Sequence, residues 1–292
     1  MSGPLPSCGP RDPSAEPAPQ ACGPSGPLST GPAWIPMYIV DAFADRVFAG
    51  NPAAVCLLEQ WLPDPILQAI AAENNLSETA FIVREAARHA LRWFTPRVEV
   101  DLCGHATLAA AHVLQAHEGV MEEVLRFETR SGTLPVSRQG DWIRLDFPSR
   151  PAEPCASTPD LETGLGRIPI RVARSRDYLA VFETEEEVRA LTPDFAALSR
   201  VDSLGVIATA PGNTCDFVSR FFAPRAGIPE DPVTGSAHCT LIPYWSAQLG
   251  RDTLLARQVS LRGGELRCEA HGERVGILGR AVTYSIASIR IA

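Results

Sequence analysis

Arg92-Trp93-Phe94-Thr95-Pro96-Arg97-Val98-Glu99-Val100-Asp101-Leu102-Cys103-Gly104-His105-Ala106-Thr107-Leu108-Ala109-Ala110-Ala111 is the stretch whose reading decides the fold. A strand-like run over Leu91 to Phe94 enters a proline turn, polar residues gather from Asp101 to His105, and an alanine-rich helix is predicted from Gly104 to about Ala116. The pattern recurs as Arg220-Phe221-Phe222-Ala223-Pro224-Arg225, followed by Glu230-Asp231-Pro232-Val233-Thr234-Gly235-Ser236-Ala237-His238. Further on, Arg262-Gly263-Gly264-Glu265-Leu266 echoes Arg130-Ser131-Gly132-Thr133-Leu134. The copies are 128 residues apart at Trp93/Phe221 and 132 apart at Gly132/Gly264. So steady an offset across strand, helix and hairpin argues for a duplication. Two half-sites facing one ligand are the expectation.

Around this stretch the elements alternate. Pro36 to Phe43 and Gly50 to Leu58 read as strands, Asp64 to Asn75 as a helix, and Leu76 to Val83 as a strand. Leu125–Arg130, Gly132–Ser137 and Trp142–Phe147 read as antiparallel strands. In the second half, Gly205–Ala210 and Phe217–Phe222 are predicted strands and Gly235–Leu249 a long helix. Pro243 falls inside that helix, where an interior proline costs about 3 kcal/mol, and predicts a kink or break near Thr240. The division expected is a Pro/Gly-rich tail over 1–34, a first half-repeat domain over 35–147, and a second over 148–280. Residues 281–292 are strand-like and could cross back to the first. Nine of the 26 prolines lie in the tail, which buries too little apolar surface to offset chain entropy and reads as disordered.

Composition narrows the chemistry. All 26 basic residues of the 292 are arginine, so lysine Schiff-base chemistry and a lysine-bearing phosphate loop are excluded. GC-rich coding gives the same bias, and the exclusions hold either way. A net charge of −8 disfavours nucleic acid and anionic membranes as partners. No apolar run approaches a membrane span. The eight cysteines form no C-x-x-C pair, and without an apolar signal segment they fit a reducing cytoplasm.

Several residues could carry chemistry. Gly104 and Gly235 each precede a helix whose free N–H groups suit a carboxylate; the plain alternative is a tight turn. Glu78, between a helix and a buried strand, suits proton transfer if half-desolvated, and is otherwise an edge or capping acid. Asp231 either caps the second helix or orients a substrate, and Asp101 mirrors it loosely. His105 at a positive helix end is expected to stay neutral, while His112 and His117 are read as structural. No histidine, cysteine or acid spacing matches a metal motif, so no metal is expected. Cys103 before a glycine at a helix start is a candidate low-pKa thiol, but the second copy offers Thr234 in its place and Cys239 lies too far along.

Taken together, Asp41-Ala-Phe, Gly50-Asn-Pro-Ala-Ala-Val, Asn75-Leu-Ser-Glu-Thr-Ala-Phe-Ile, Leu102-Cys-Gly-His-Ala-Thr-Leu and Glu230-Asp-Pro-Val-Thr-Gly-Ser-Ala-His resemble the phenazine biosynthesis-like (PhzF-like) family, in the variety of the animal phenazine biosynthesis-like domain proteins. The resemblance implies an α+β, diaminopimelate epimerase-like fold. Two pseudo-symmetric domains would each wrap a curved sheet around a central helix, with the site in the cleft between them. It implies an isomerase without cofactor or metal, acting on a small acidic molecule such as a dihydroaromatic carboxylate, and commonly a homodimer. The family's proton-shuttling glutamate matches Glu78, and its site histidine and aspartate match His105 and Asp231. Its substrate-binding positions match Gly104, Gly235 and Ser236. The stretches 84–91 and 152–205 look shorter than the family pattern, which bears on cleft shape. Two other functions are weighed beside this one: a catalytically silent binding or regulatory protein on the same scaffold, and a cysteine-type amino-acid epimerase.

Overall fold

The computed structural model describes residues 33–85 and 88–291. The tail expected over 1–34 lies outside the described residues except for its last two, which already belong to the strand Ala33–Ala42. That boundary is a correction. Ala33–Ala42 is fixed by its pairing with distant strands, which local composition does not register.

Strand pairing follows one order twice. Ala33–Ala42 runs antiparallel to Asn51–Leu58, which runs parallel to Glu78–Glu85, which runs antiparallel to Arg88–Phe94. A parallel step then leads to Val124–Thr129, and hairpins continue through Gly132–Gln139 to Trp142–Pro148. In the second half Arg171–Arg174, Tyr178–Val181, Val206–Pro211 and Phe217–Ala223 repeat the antiparallel, parallel, antiparallel sequence. A parallel step to Thr253–Gln258 and hairpins through Gly264–His271 to Arg274–Gly279 complete the copy.

Parallel neighbours need a crossover, and in each half the second crossover is a long helix: Gly104–Ala116 in the first, Gly235–Leu249 in the second. Both are apolar on nearly all sides, the pattern of a helix enclosed by its own sheet. Ala106, Ala109, Ala110 and Ala111 are fully buried, and their small side chains let strands close in around the first helix. The helix packs against Ala33–Ala42, Asn51–Leu58, Glu78–Glu85 and Trp142–Pro148; the second packs against Thr253–Gln258, Gly264–His271 and Arg274–Gly279. The halves are joined where Trp142–Pro148 pairs antiparallel with Arg274–Gly279. They are joined again where Ala281–Ile291 returns to pair with Ala33–Ala42. The strands thus form one hydrogen-bonded network in an α+β molecule.

The break expected near Thr240 does not occur: the helix runs through Pro243 to Leu249. Proline removes the N–H that would bond the carbonyl of Cys239. That carbonyl instead accepts from the backbone N–H of Arg150, at 2.8 Å. Arg150 lies in the connection between the halves, which contains the two-residue strand Glu153–Pro154 paired with Arg171–Arg174 and leads to the helix Pro159–Leu165. Among the described residues no helix is long and apolar enough to cross a membrane.

Candidate active site

The two long helices meet at their N-termini. A Cβ placed on Gly104 would stand 3.4 Å from the Cα of Gly235 and 3.3 Å from the Phe147 ring. The two starts abut, most tightly at Gly104, and no side chain caps either helix. The unpaired N–H groups of both first turns converge beside a cleft of about 930 Å³, lined among others by Glu78, His105, Asp231 and Ser236.

Glu78 is delivered by the chain reversal after helix Asp64–Asn74. Asn75, in the left-handed region at φ 49°, ends that helix, and Glu78 opens the next strand opposite Ala53. His105 Nε2 lies 3.2 Å from Glu78 Oε2, and neither atom has a properly angled hydrogen bond within the protein. On the other side of the ring, His105 Nδ1 faces Asn51 Nδ2 at 3.2 Å and Cys103 Sγ at 3.5 Å. Asn51 Nδ2 also donates to Asp231 Oδ1 at 2.8 Å and to the Val233 carbonyl at 2.9 Å. The two amide hydrogens of Asn51 go to Asp231 and Val233, and an amide nitrogen cannot accept, so a proton on Nδ1 would face it unpaired; this favours the proton on Nε2, towards Glu78. Thr234 Oγ1 donates to Asp231 Oδ2. Gln258 Nε2 donates to the Asp231 carbonyl at 2.7 Å, and Gln258 Oε1 accepts from Thr234 N at 2.9 Å.

Burial sets the titration of all three groups. The Glu78 carboxyl is pushed up to about 8, first by desolvation and then by the charge of Asp231. Asp231 is raised to about 6 by burial, against the bonds from Thr234 and Asn51. His105 falls to about 3. Its neutrality is as expected, but the cause is desolvation, not the helix end.

The structure brings Glu78, His105, Asp231, Gly104, Gly235 and Ser236 around one cleft. Two readings of single residues are corrected. Asp231 does not cap the second helix, whose N-cap is Thr234; its carboxylate is taken up by Asn51 and Thr234 instead. Cys103 is not a low-pKa thiol: burial first, and the Glu78 charge next, hold it well above the ordinary value. Asp101 is exposed at the rim, so its likeness to the buried Asp231 is one of sequence position alone. His112 and His117 both bond Thr283 Oγ1, at 2.9 and 2.7 Å, and tie the helix to the last strand. Ligand atoms of Glu78, Cys103 and His105 lie within 4.8 Å of one another. A protonated thiol and a carboxyl of raised pKa make poor cation ligands near neutrality. Asn51 and Gln258 were missed as site residues. The Gly50-Asn51-Pro52 motif was the available signal for the first, and nothing local marks the second.

The duplication is unequal here. Thr79 pairs with Phe94 as Val206 pairs with Phe222, so Gly205 occupies the place of Glu78 in the second copy. A side chain at Gly205 would come within 2.2 Å of the Phe221 ring. Glu78 thus has no twin in the second half.

The family model described as phenazine biosynthesis-like protein matches residues 40–287. The chain belongs to the phenazine biosynthesis-like family. This family member is 55% identical over 254 residues to an uncharacterized isomerase of Pseudomonas aeruginosa, covering 87% of this chain and 97% of that one. It is 42% identical over 276 residues to the phenazine biosynthesis-like domain-containing protein of Homo sapiens, covering 85% and 96%. The bacterial alignment of 254 residues covers 87% of this chain and so has no room for a long gap in it, whereas the animal alignment of 276 residues over 85% does. A crystal structure of a PhzF family protein from Enterococcus faecalis matches with TM-score 0.86 at 51% identity, over 88% of this chain and 99% of that one. A hydroxyproline epimerase from Agrobacterium vitis, 12% identical, matches with TM-score 0.61 over 88% and 93%, a likeness of fold alone. The fold is the diaminopimelate epimerase-like one, and this phenazine biosynthesis-like protein is an enzyme of the isomerase class.

Proposed function

We propose that the protein is a cofactor-independent isomerase that moves a proton on a small, carboxylate-bearing, dihydroaromatic-like substrate. The observation that supports this most is the Glu78 carboxyl, desolvated in the cleft, raised to about 8 and facing His105 Nε2 at 3.2 Å. In its ionised form it takes a proton from a carbon acidified by conjugation. The electron pair left behind shifts along the conjugated system, and the same carboxyl returns the proton at another carbon. Nothing is gained or lost, so the balance calls for no oxidant and no second substrate. His105 keeps its Nε2 proton and donates to the Glu78 carboxylate or to charge developing on the substrate. Asp231, fixed by Asn51 and Thr234, and Ser236 orient the substrate, and the paired helix starts receive its carboxylate. The same reading carries a homodimer in the cytoplasm; light scattering at a single-chain mass of 31.4 kDa removes the dimer from it.

The decisive experiment incubates dihydroaromatic acids with the protein in D2O. Wild type incorporates deuterium and Glu78→Gln does so at least about 100-fold more slowly, the scale of a lost general acid–base group. Equal incorporation by the two proteins sinks the reading.

A further inference from the structure

Three arginines stand on the second half's side of the cleft: Arg150, Arg176 and Arg274. All three lie close enough to Cys239, in the second turn of the long helix, to pull its thiol down against burial. Two of them are spoken for. Arg274 bonds Asp146 at 3.1 and 2.7 Å. Arg176 bonds Asp177 Oδ2 at 3.1 and 2.8 Å, and its Nη2 donates to Ser236 Oγ at 3.1 Å. Arg150 differs. It is a partly buried residue of the cleft wall, yet among the described residues its side chain has no ion pair and no hydrogen bond. A cation at a cleft wall with no acid beside it is open to an anionic partner.

The backbone of Arg150 is not free in the same way. Its N–H is fixed on the Cys239 carbonyl at 2.8 Å, a carbonyl left open because Pro243 has no N–H to offer it. An alanine at 243 would return that carbonyl to the helix ladder and compete with Arg150 for it. The proline that breaks a helix rule therefore serves the connection between the halves.

We infer that Arg150 binds the carboxylate of the substrate from the second half's side, opposite Glu78, and that Pro243 is its positioning residue. This rests on the isomerase reading for the location of the substrate, and adds which residue selects an anionic one. A guanidinium suits a carboxylate through paired, charge-assisted hydrogen bonds. The helix starts supply dipoles to the same group, and Arg150 supplies the full charge.

The test is calorimetric titration of the full chain with anthranilate, a planar aromatic carboxylate, and with anthranilamide, its neutral counterpart. Arg150→Gln is expected to weaken anthranilate about tenfold or more while leaving anthranilamide within about threefold, the loss of one charged hydrogen-bond partner. Arg150→Lys recovers part of the loss. Pro243→Ala is expected to weaken anthranilate about threefold or more with no fall in melting temperature, since removing an interior proline favours the helix. A merely structural proline would lower melting temperature and leave the preference for carboxylate over amide unchanged. Wild-type anthranilate affinity in Arg150→Gln overturns the proposal, as do equal losses for acid and amide, or no preference for the acid in wild type. The two readings fail separately: deuterium incorporation reports on Glu78, and the preference for acid over amide in binding reports on Arg150.

Discussion

A carboxyl that titrates near 8 is a base only in mildly alkaline water. In the proposed mechanism the free enzyme needs Glu78 ionised, so kcat/KM rises with pH, about tenfold per unit below the midpoint, and levels off above about 8. His105, already lowered to about 3, contributes no limb between pH 5 and 8. Asp231→Asn removes a negative charge that resists ionisation of Glu78, so its midpoint lies at lower pH than wild type, whatever happens to the maximal rate. A midpoint that stays in place or climbs contradicts the electrostatic account. At this scale the sequence spoke clearly about Glu78, His105 and Asp231 because they sit in motifs next to recognisable helix and strand ends. It misjudged Cys103, since spacing reveals a helix start but not the walls around it. Asn51 lies 54 residues from His105 and 180 from Asp231, and only the folded chain makes one amide serve both.

The two long helices carry the geometry on which those residues depend. Their predicted bounds, Gly104 to about Ala116 and Gly235 to Leu249, agree with the structure because glycine and the end of the apolar run mark them locally. Pro243 was read by local rules alone, and tertiary packing gave its orphaned carbonyl a partner from another segment. Thr253–Gln258 and Arg274–Gly279 were not read as strands at all; each is six residues long and owes its form to neighbours on both sides. The abutting glycines allow a sharp test. A methyl at Gly235 would lie 3.4 Å from Gly104 Cα and 3.8 Å from the Phe43 ring, close but tolerable. Gly235→Ala is expected to keep or slightly raise melting temperature, by less than about 1 kcal/mol in stability. Its kcat/KM is expected to fall about tenfold to a hundredfold, because the substrate's seat shifts by a fraction of an ångström. Unchanged turnover would mean that the helix starts do not hold the substrate.

Across the whole molecule, the last strand is what closes the first half. Ala281–Ile291 pairs along its length with Ala33–Ala42, and Ile289 and Ile291 pack on the cluster that contains Ile35 and Met37. A chain ending at Arg280 loses those bonds and the half-buried Ile289 and Ile291, and uncovers Ile35 and Met37 beneath them, on the order of 5 kcal/mol. It is expected to melt about 10 °C lower or more, or to lose a single cooperative transition in circular dichroism. A near-wild-type melt would show the strand to be an accessory. The duplication itself was legible from residue offsets; its inequality was not, because a glycine at 205 looks ordinary until Phe221 is seen filling the space above it.

That inequality has a stereochemical consequence. Two-sided catalysts can lift a hydrogen from above and replace it from below, which inverts a centre. Here the upper and lower walls are chemically unlike, with a carboxyl on one and an aromatic ring where its twin would stand. A hydrogen carried by Glu78 must leave and come back on the same side of a planar substrate, so the product is formed as one hand, and part of the original isotope travels with it.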